Sequence, residues 1–244
     1  MRSRASWTTA LVALAWTTIA ALALAGALAC ASAGSAPAKG KSRVFGTLRL
    51  VPHAGAPAQS GGKAYSSLRM RDAGLVDYST PGFAVVFVNT GTKPGGEATV
   101  TIRDTHVEPR LEPDHLALGD GGRITVVNAS ASAHILSYPA AKLVRRLAAG
   151  ERLEVAVPSA GEQGLFLLDV PEASTTIFAA PGPFAVVSTA GEFDLRDLDP
   201  GAVELRAWHP RFPPVVQTLD LAPDASLHVD LDMGVGIGPE ASLR

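Results

Sequence analysis

The sequence predicts an all-β protein with a β-sandwich architecture. Short runs rich in Val, Ile, Leu, Phe and Thr alternate with turns rich in Gly, Pro and Asp along most of the chain, a pattern typical of sandwiches and barrels. Helix signals are scarce, and the C-terminal runs alternate apolar and polar residues as strands do. The single cysteine forms no internal disulfide, so strand pairing and apolar packing must hold the fold.

The apolar runs define the predicted strands in chain order. Turn residues separate them, and glycines that tolerate positive φ occupy the turns at Gly121, Gly191 and Gly201. Only residues 140–147 suggest helix, of one or two turns. The predicted strands are 44–51, 83–88, 98–103, 123–127, 152–157, 165–168, 184–187, 203–208, 215–221 and 226–231.

The strand 226–231 shows the alternation most clearly. Leu227, Val229 and Leu231 share one face of this strand. His228 lies between them on the opposite face, so we expect its side chain to be exposed to solvent.

The last part of the chain is too short to form an independent sandwich. Residues 184–231 hold five strands at most, whereas a seven-stranded sandwich needs roughly 100 residues. This segment must therefore borrow a partner surface from elsewhere. Residues 44–103 offer one, because their run 83–88 is apolar throughout and predicts a strand buried on both faces.

Residues 1–29 are predicted to be a signal peptide. Arg2 and Arg4 precede a long run rich in Ala and Leu, and small residues lie just before Cys30, where a signal peptidase would cut. Two alternatives stay open. A lipoprotein cut at the same place would attach lipid to Cys30, and an uncleaved apolar run would anchor the chain in a bilayer. In each case we expect an extracytoplasmic protein of the periplasm or cell envelope.

The charge balance argues against nucleic acid as a partner. The formal net charge is −2, and loss of Arg2 and Arg4 with the signal peptide would make it more negative. Residues 31–71 differ from the rest, because they contain seven basic residues and no acidic one. A solvated basic arm is one interpretation, and attraction to an anionic envelope surface is the other.

Two stretches resemble known families. The strand 124–128, Ile-Thr-Val-Val-Asn, with His134 six residues after the Asn, is similar to the plastocyanin-like cupredoxin pattern of a strand ending in Asn and a loop carrying the first copper-binding His. Residues 191–201, Gly-Glu-Phe-Asp-Leu-Arg-Asp-Leu-Asp-Pro-Gly, with the pair Trp208 and His209, resemble the carboxypeptidase regulatory-like (transthyretin-like) module. Their order is similar to that in the cupredoxin-like proteins often labelled methylamine-utilisation proteins in bacteria.

The resemblance implies a cupredoxin-like Greek-key β-sandwich plus a smaller transthyretin-like β-sandwich module. It covers residues 104–233 of the chain. A flexible tether is assigned separately, from its Ala, Ser, Gly, Pro and Lys content. The predicted organisation is a signal peptide (1–29), a tether (30–42), an N-terminal β segment (43–103), a degenerate cupredoxin-like domain (104–182), a regulatory-like module (183–233) and a tail (234–244).

The resemblance also implies a type 1 copper centre, which needs a Cys thiolate, two imidazoles and usually a Met. Between Ile135 and Trp208 the chain contains no Cys, His or Met, so we expect no copper centre and no cofactor. His134 is then interpreted as a leftover or satisfied polar residue at a loop mouth. The alternative is a hard-ligand metal site formed by His134, Asp169 and Glu172.

No catalytic constellation is evident. Asp114 and His115 are adjacent, yet the chain has no G-x-S-x-G elbow, so we expect turn chemistry there and no enzyme. Trp208 is expected to pack at the junction between domains. Because the regulatory-like module resembles starch-binding-type sandwiches in fold, a role for Trp208 in stacking on a sugar is the alternative.

Two classes of function follow from these expectations. The leading one is a non-catalytic envelope protein that binds an unknown envelope protein through a sandwich face or an edge strand. The alternative is a periplasmic protein that binds a small ligand, a carbohydrate or a hard metal on the same scaffold. The fold alone does not predict an enzymatic reaction.

Overall fold

The computed structural model of the chain describes residues 36–52 and 78–234. The predicted signal peptide, Cys30 and all but the first residue of the predicted tail lie outside these ranges. Within the two ranges, no helix combines the length and the hydropathy needed to cross a bilayer.

The described residues are almost entirely β-structure, which confirms the predicted fold class. Besides strands they contain one short 3-10 helix, Pro139–Ala141. The strands are β1 (Ser42–Leu50), β2 (Val85–Val88), β3 (Glu97–Arg103), β4 (Arg110–Glu112), β5 (His115–Gly119), β6 (Arg123–Asn128), β7 (His134–Tyr138), β8 (Leu143–Leu147), β9 (Arg152–Ala156), β10 (Gly161–Leu167), β11 (Ser174–Ala180), β12 (Phe184–Val186), β13 (Glu192–Leu198), β14 (Gly201–His209), β15 (Phe212–Leu221) and β16 (Ser226–Met233).

Strands from the two ends of the described chain form one sandwich, which we call the terminal sandwich. Its sheets have the strand orders β13-β1-β16 and β12-β2-β14-β15. β1 runs antiparallel to β13 and parallel to β16. Val44, Leu48, Val86, Leu205 and Leu231 are among the residues buried in its core. The C-terminal strands thus borrow N-terminal strands, as their small number led us to expect.

β2 is the central strand that the apolar run 83–88 predicted. Ala84, Val86 and Val88 belong to the core of the terminal sandwich. Val85 and Phe87 point the other way and belong to a separate apolar cluster. Both faces of the strand are buried, as predicted, because a second sandwich covers the face opposite the core.

That second sandwich, which we call the central sandwich, is built from β3 to β11. Its sheets have the orders β5-β11-β10-β7-β8 and β4-β3-β6-β9. β3 was assigned by the sequence to the N-terminal segment, but it pairs with β4 and β6 of this sandwich. The reason is that Val100 and Ile102 of β3 are fully buried beside Val126 of β6, in the core between the two sheets.

The expected helical turns over residues 140–147 are mostly wrong. Only Pro139–Ala141 forms a 3-10 turn, and Lys142 ends it with a φ of 53°. The chain then enters β8, in which Leu147 is buried while Val144 is exposed. The helical prediction failed because β8 alternates inward and outward side chains beside β7, a pattern too short to recognise locally.

The prediction of a flexible tether does not hold for its last residues. The Ala38 N–H donates a hydrogen bond to Asp197, and the Gly40 N–H donates one to Asp224. Lys41 forms an ion pair with Asp199. These contacts fix the chain before β1 begins.

The predicted orientation of His228 on β16 and the predicted glycine turns are confirmed. Val229 and Leu231 are buried, while the side chain of His228 is 55% exposed. Gly121, Gly191 and Gly201 all adopt positive φ, which is the conformation that their turns were predicted to need.

Candidate functional site

His134 and Asp169, two of the three weak metal candidates, contact each other. His134 begins β7 and its Nδ1 lies 2.9 Å from Oδ2 of Asp169, while the Ile135 N–H donates to Oδ1 of the same carboxylate at 2.8 Å. Partial burial favours a raised pKa for Asp169, but the hydrogen bonds from Ile135 and His134 outweigh it and hold the pKa below its usual value. Asp169 therefore fixes the orientation of the buried imidazole.

Glu172, the third metal candidate, belongs to a different surface. It lines a cavity of about 510 Å³ with Asp114 and His115, on the side of the central sandwich where β5 and β11 pair. Across the described ranges, no group of three His, Cys, Asp or Glu side chains is arranged to hold a metal ion. The three candidates do not form one cluster.

Trp208 lies at the junction of the two sandwiches. Its ring stacks on Phe178 of β11, with the ring centroids 4.4 Å apart, and Phe83 meets it edge-on at 6.0 Å. Phe87 of β2 also packs against Phe178, with the ring centroids 5.3 Å apart. Trp208 thus occupies a packing position at the junction, as expected from the sequence. A sugar stacking on Trp208 would have to displace these aromatic contacts.

The junction covers only part of one sheet face. Phe178, Ala180 and Ala117 lie on the face of the five-stranded sheet that points away from the central core, and they pack against the terminal sandwich. We call this the outer face. Its remaining half, formed by β10, β7 and β8, is not covered by any described residue.

The uncovered half of the outer face carries four exposed apolar side chains, among polar ones that include Ser137 and Arg146. Cross-strand pairing places Phe166 beside Ser137, and Ser137 beside Val144, on the same face. The backbone N–H of Leu168 donates to the carbonyl of Ile135 in the next row. The four apolar side chains are 39% (Ile135), 64% (Val144), 39% (Phe166) and 59% (Leu168) exposed. We call these four residues the exposed patch.

Gly164 explains how the Phe166 ring lies. A Cβ at position 164 would collide with the ring atoms of Phe166, so the ring lies over the glycine. The ring therefore rests against the sheet and keeps its opposite side open to solvent.

The sequence alone does not reveal the exposed patch. The run Leu165 to Leu168 is apolar at every position, and such a run predicts a strand buried on both faces. The alternation of β8 was interpreted as helix. Phe166 of β10 and Leu168, which follows this strand, are exposed beside the edge hairpin of β7 and β8. Only the tertiary arrangement shows this.

Comparisons with known proteins give only distant similarities. No family model matches the chain, and no curated protein matches it. A purple cupredoxin from Nitrosopumilus maritimus is 16% identical with a TM-score of 0.31, over 34% of this chain and 99% of that one. A pseudoazurin from Sinorhizobium is 15% identical with a TM-score of 0.29, over 35% and 74%. An oxidised amicyanin mutant is 12% identical with a TM-score of 0.29, over 38% and 97%.

Each of these solved proteins is similar to little more than a third of this chain. The resemblance to the regulatory-like module and to methylamine-utilisation proteins stays a prediction.

Proposed function

We propose that the chain is an exported, non-catalytic envelope protein that binds another protein through the exposed patch. The observation that supports this most is the contrast within one sheet face. The half of the outer face that carries Phe178 is buried against aromatic side chains of the terminal sandwich, and the other half carries apolar side chains in the open. Exposed apolar side chains clustered on one face of a sheet are typical of an interaction surface.

The partner has an apolar surface of its own, by analogy with the terminal sandwich, which covers the adjoining half with Phe87 and Trp208. A protein surface of this kind would extend the existing junction across β10, β7 and β8. The export part of the proposal rests on the predicted signal peptide at residues 1–29, and fractionation of cells that make the full chain tests it.

Chemical crosslinking in the source organism tests the binding role. The full chain is compared with the double variant Val144→Asp and Leu168→Asp, which changes the two most exposed side chains of the patch. We expect the yield of a protein adduct to fall about tenfold in this variant, because charge in an apolar interface costs well over 1 kcal/mol.

The matched control is Val107→Asp. Val107 is 86% exposed and lies between β3 and β4, away from the patch. Its adduct yield and melting temperature should equal those of the wild type. Equal yields from the patch variant and the wild type, or no protein adduct from any of the three, would contradict the proposal.

A further inference from the structure

We propose that the partner docks on the edge strand β8 by adding an extended, acidic segment to the five-stranded sheet. This inference rests on the proposed protein-binding function and specifies its mode. β8 is the last strand of the order β5-β11-β10-β7-β8, and among the described strands it pairs only with β7. An open edge of this kind is a template for another strand.

The backbone of Ile135 shows which groups of β8 are free. The Ile135 N–H donates to Asp169, and the Ile135 carbonyl accepts from the Leu168 N–H. Both partners lie on the β10 side of β7. Ile135 therefore makes no backbone hydrogen bond to Arg146, the residue opposite it on β8.

Antiparallel pairs alternate between hydrogen-bonded and non-hydrogen-bonded. Since Ile135 and Arg146 form a non-hydrogen-bonded pair, Arg145 bonds to Leu136 of β7. The N–H and C=O groups of Val144 and Arg146 then point away from β7, toward the open edge. These groups lie two residues apart. This is the spacing at which the backbone of an added strand forms its hydrogen bonds.

The side chains at this edge are basic. Arg145 forms an ion pair with Glu151 at 2.7 Å. Lys142 and Arg146 are exposed, and neither has an ion-pair partner among the residues that the structure describes. Two uncompensated cations therefore flank the free backbone groups, and a strand with acidic side chains complements them.

The same charges act against a second copy of this chain as the occupant. If β8 paired antiparallel with β8 of another copy, Arg145 and Arg146 would lie opposite or beside the same arginines. Like charges directly across a strand pair destabilise it. Charge repulsion therefore disfavours pairing of β8 with a second copy, whereas an acidic strand would be attracted to it. Val144 belongs both to this edge and to the exposed patch, so one partner can engage both.

Peptide binding to the full chain tests the inference. The probe is a fluorescein-labelled peptide of about eight residues that alternates Glu and Val, and its counterpart alternates Lys and Val. At low ionic strength we expect the Glu–Val peptide to bind about tenfold more tightly by fluorescence anisotropy. Arg146→Glu should abolish or reverse this preference. Arg110→Glu, which changes an exposed arginine on the distant edge strand β4, should leave it unchanged.

Backbone readouts separate strand addition from simple charge attraction. Val144→Pro removes an N–H at the open edge without removing a hydrogen bond to β7, so it should weaken binding of the Glu–Val peptide about tenfold. Hydrogen exchange of the wild type gives a second measure that needs no variant. The amides of Val144 and Arg146 should become protected in the complex, while that of Arg145 should be protected with or without peptide.

The results distinguish the strand-addition docking mode from the protein-binding function. Equal binding of the two peptides, or unchanged exchange at Val144 and Arg146 in the complex, overturns the strand-addition inference. If Arg146→Glu and Val144→Pro retain the crosslinked partner while the double variant at Val144 and Leu168 loses it, the protein-binding function stands and this docking mode falls.

Discussion

At the scale of single residues, the side chain of His209 is buried, and its pKa in the folded chain is lower than that of an ordinary histidine. It lies at the end of β14, where its Nδ1 accepts a hydrogen bond from the Arg211 N–H at 3.0 Å. The opposite ring N–H donates to the Pro81 carbonyl. Burial lowers the pKa of His209 and the hydrogen bond to Pro81 opposes this effect, while the neighbouring Arg211 and His115 lower the pKa further. The imidazole is therefore mainly neutral in the folded chain at neutral pH.

This predicts that the chain loses stability as the pH falls below 6.5, the ordinary pKa of histidine. The unfolded chain binds more protons than the folded one between that value and the lowered pKa of His209. The stabilisation is complete above this window and decreases as the pH falls through it. Protonation of Nδ1 would also turn the acceptor for Arg211 into a donor.

The test is the free energy of unfolding from urea titrations between about pH 5.5 and about pH 7.5. His209→Asn is the matched variant, because its side-chain oxygen can still accept from the Arg211 N–H but does not titrate. We expect the pH profile of this variant to be flatter than that of the wild type. Parallel profiles would show that His209 has no part in the acid sensitivity.

At the level of elements, the sequence predicted strands at runs such as β2 and β16, where apolar residues lie between turns. It did not predict β4, β5, β7, β8, β11 and β13 as separate strands. β8 was missed because Leu143 to Leu147 is short and contains two arginines, and β11 was missed because Ser174, Thr175 and Thr176 give no apolar alternation. These strands form because neighbouring strands supply their hydrogen bonds, and that support comes from residues distant in sequence.

Two strand glycines make contrasting contacts that predict different costs of adding a methyl group. A Cβ on Gly46 of β1 would lie 2.6 Å from the backbone carbonyl carbon of Val229 on β16, and backbone cannot move without separating the two strands. The atoms nearest to a Cβ on Gly164 would be those at the end of the flexible Phe166 side chain. We expect Gly46→Ala to cost about 3 kcal/mol of stability, and Gly164→Ala less than about 1 kcal/mol.

Chemical denaturation of the two variants measures this difference, with each glycine serving as the control for the other. Gly164→Ala should also increase the exposure of the Phe166 ring without changing the core. A cost for Gly164→Ala as large as that for Gly46→Ala would show that the Phe166 ring cannot move aside.

At the scale of the whole molecule, the terminal sandwich packs against part of the outer face of the five-stranded sheet of the central sandwich. The sequence indicated that Trp208 would pack at a junction. Its alternative metal site grouped His134, Asp169 and Glu172, of which only the first two are in contact. The sequence did not indicate which half of the outer face would stay open, because Phe166 and Phe178 are both aromatic residues on neighbouring strands. Only the position of the terminal sandwich distinguishes them, and that position depends on the pairing of β2 with β14.

These two phenylalanines provide the test of the junction. Phe178 is 3% exposed and contacts the rings of Trp208 and Phe87, whereas Phe166 is 39% exposed. Phe178→Ala should cost about 3 to 5 kcal/mol, since it opens a cavity among aromatic rings. Phe166→Ala should cost less than about 1 kcal/mol, because its ring is already partly in solvent.

Removal of the Phe178 ring should also allow the two sandwiches to unfold separately. In calorimetry we expect the wild type and Phe166→Ala to unfold in one transition, because the junction makes the unfolding of one sandwich costly to the other. Phe178→Ala should give two transitions, since each sandwich keeps its own core but loses the cluster between them. A single transition in Phe178→Ala, shifted no further than that of Phe166→Ala, would mean that strand pairing within each sandwich, rather than the aromatic junction, sets the cooperativity.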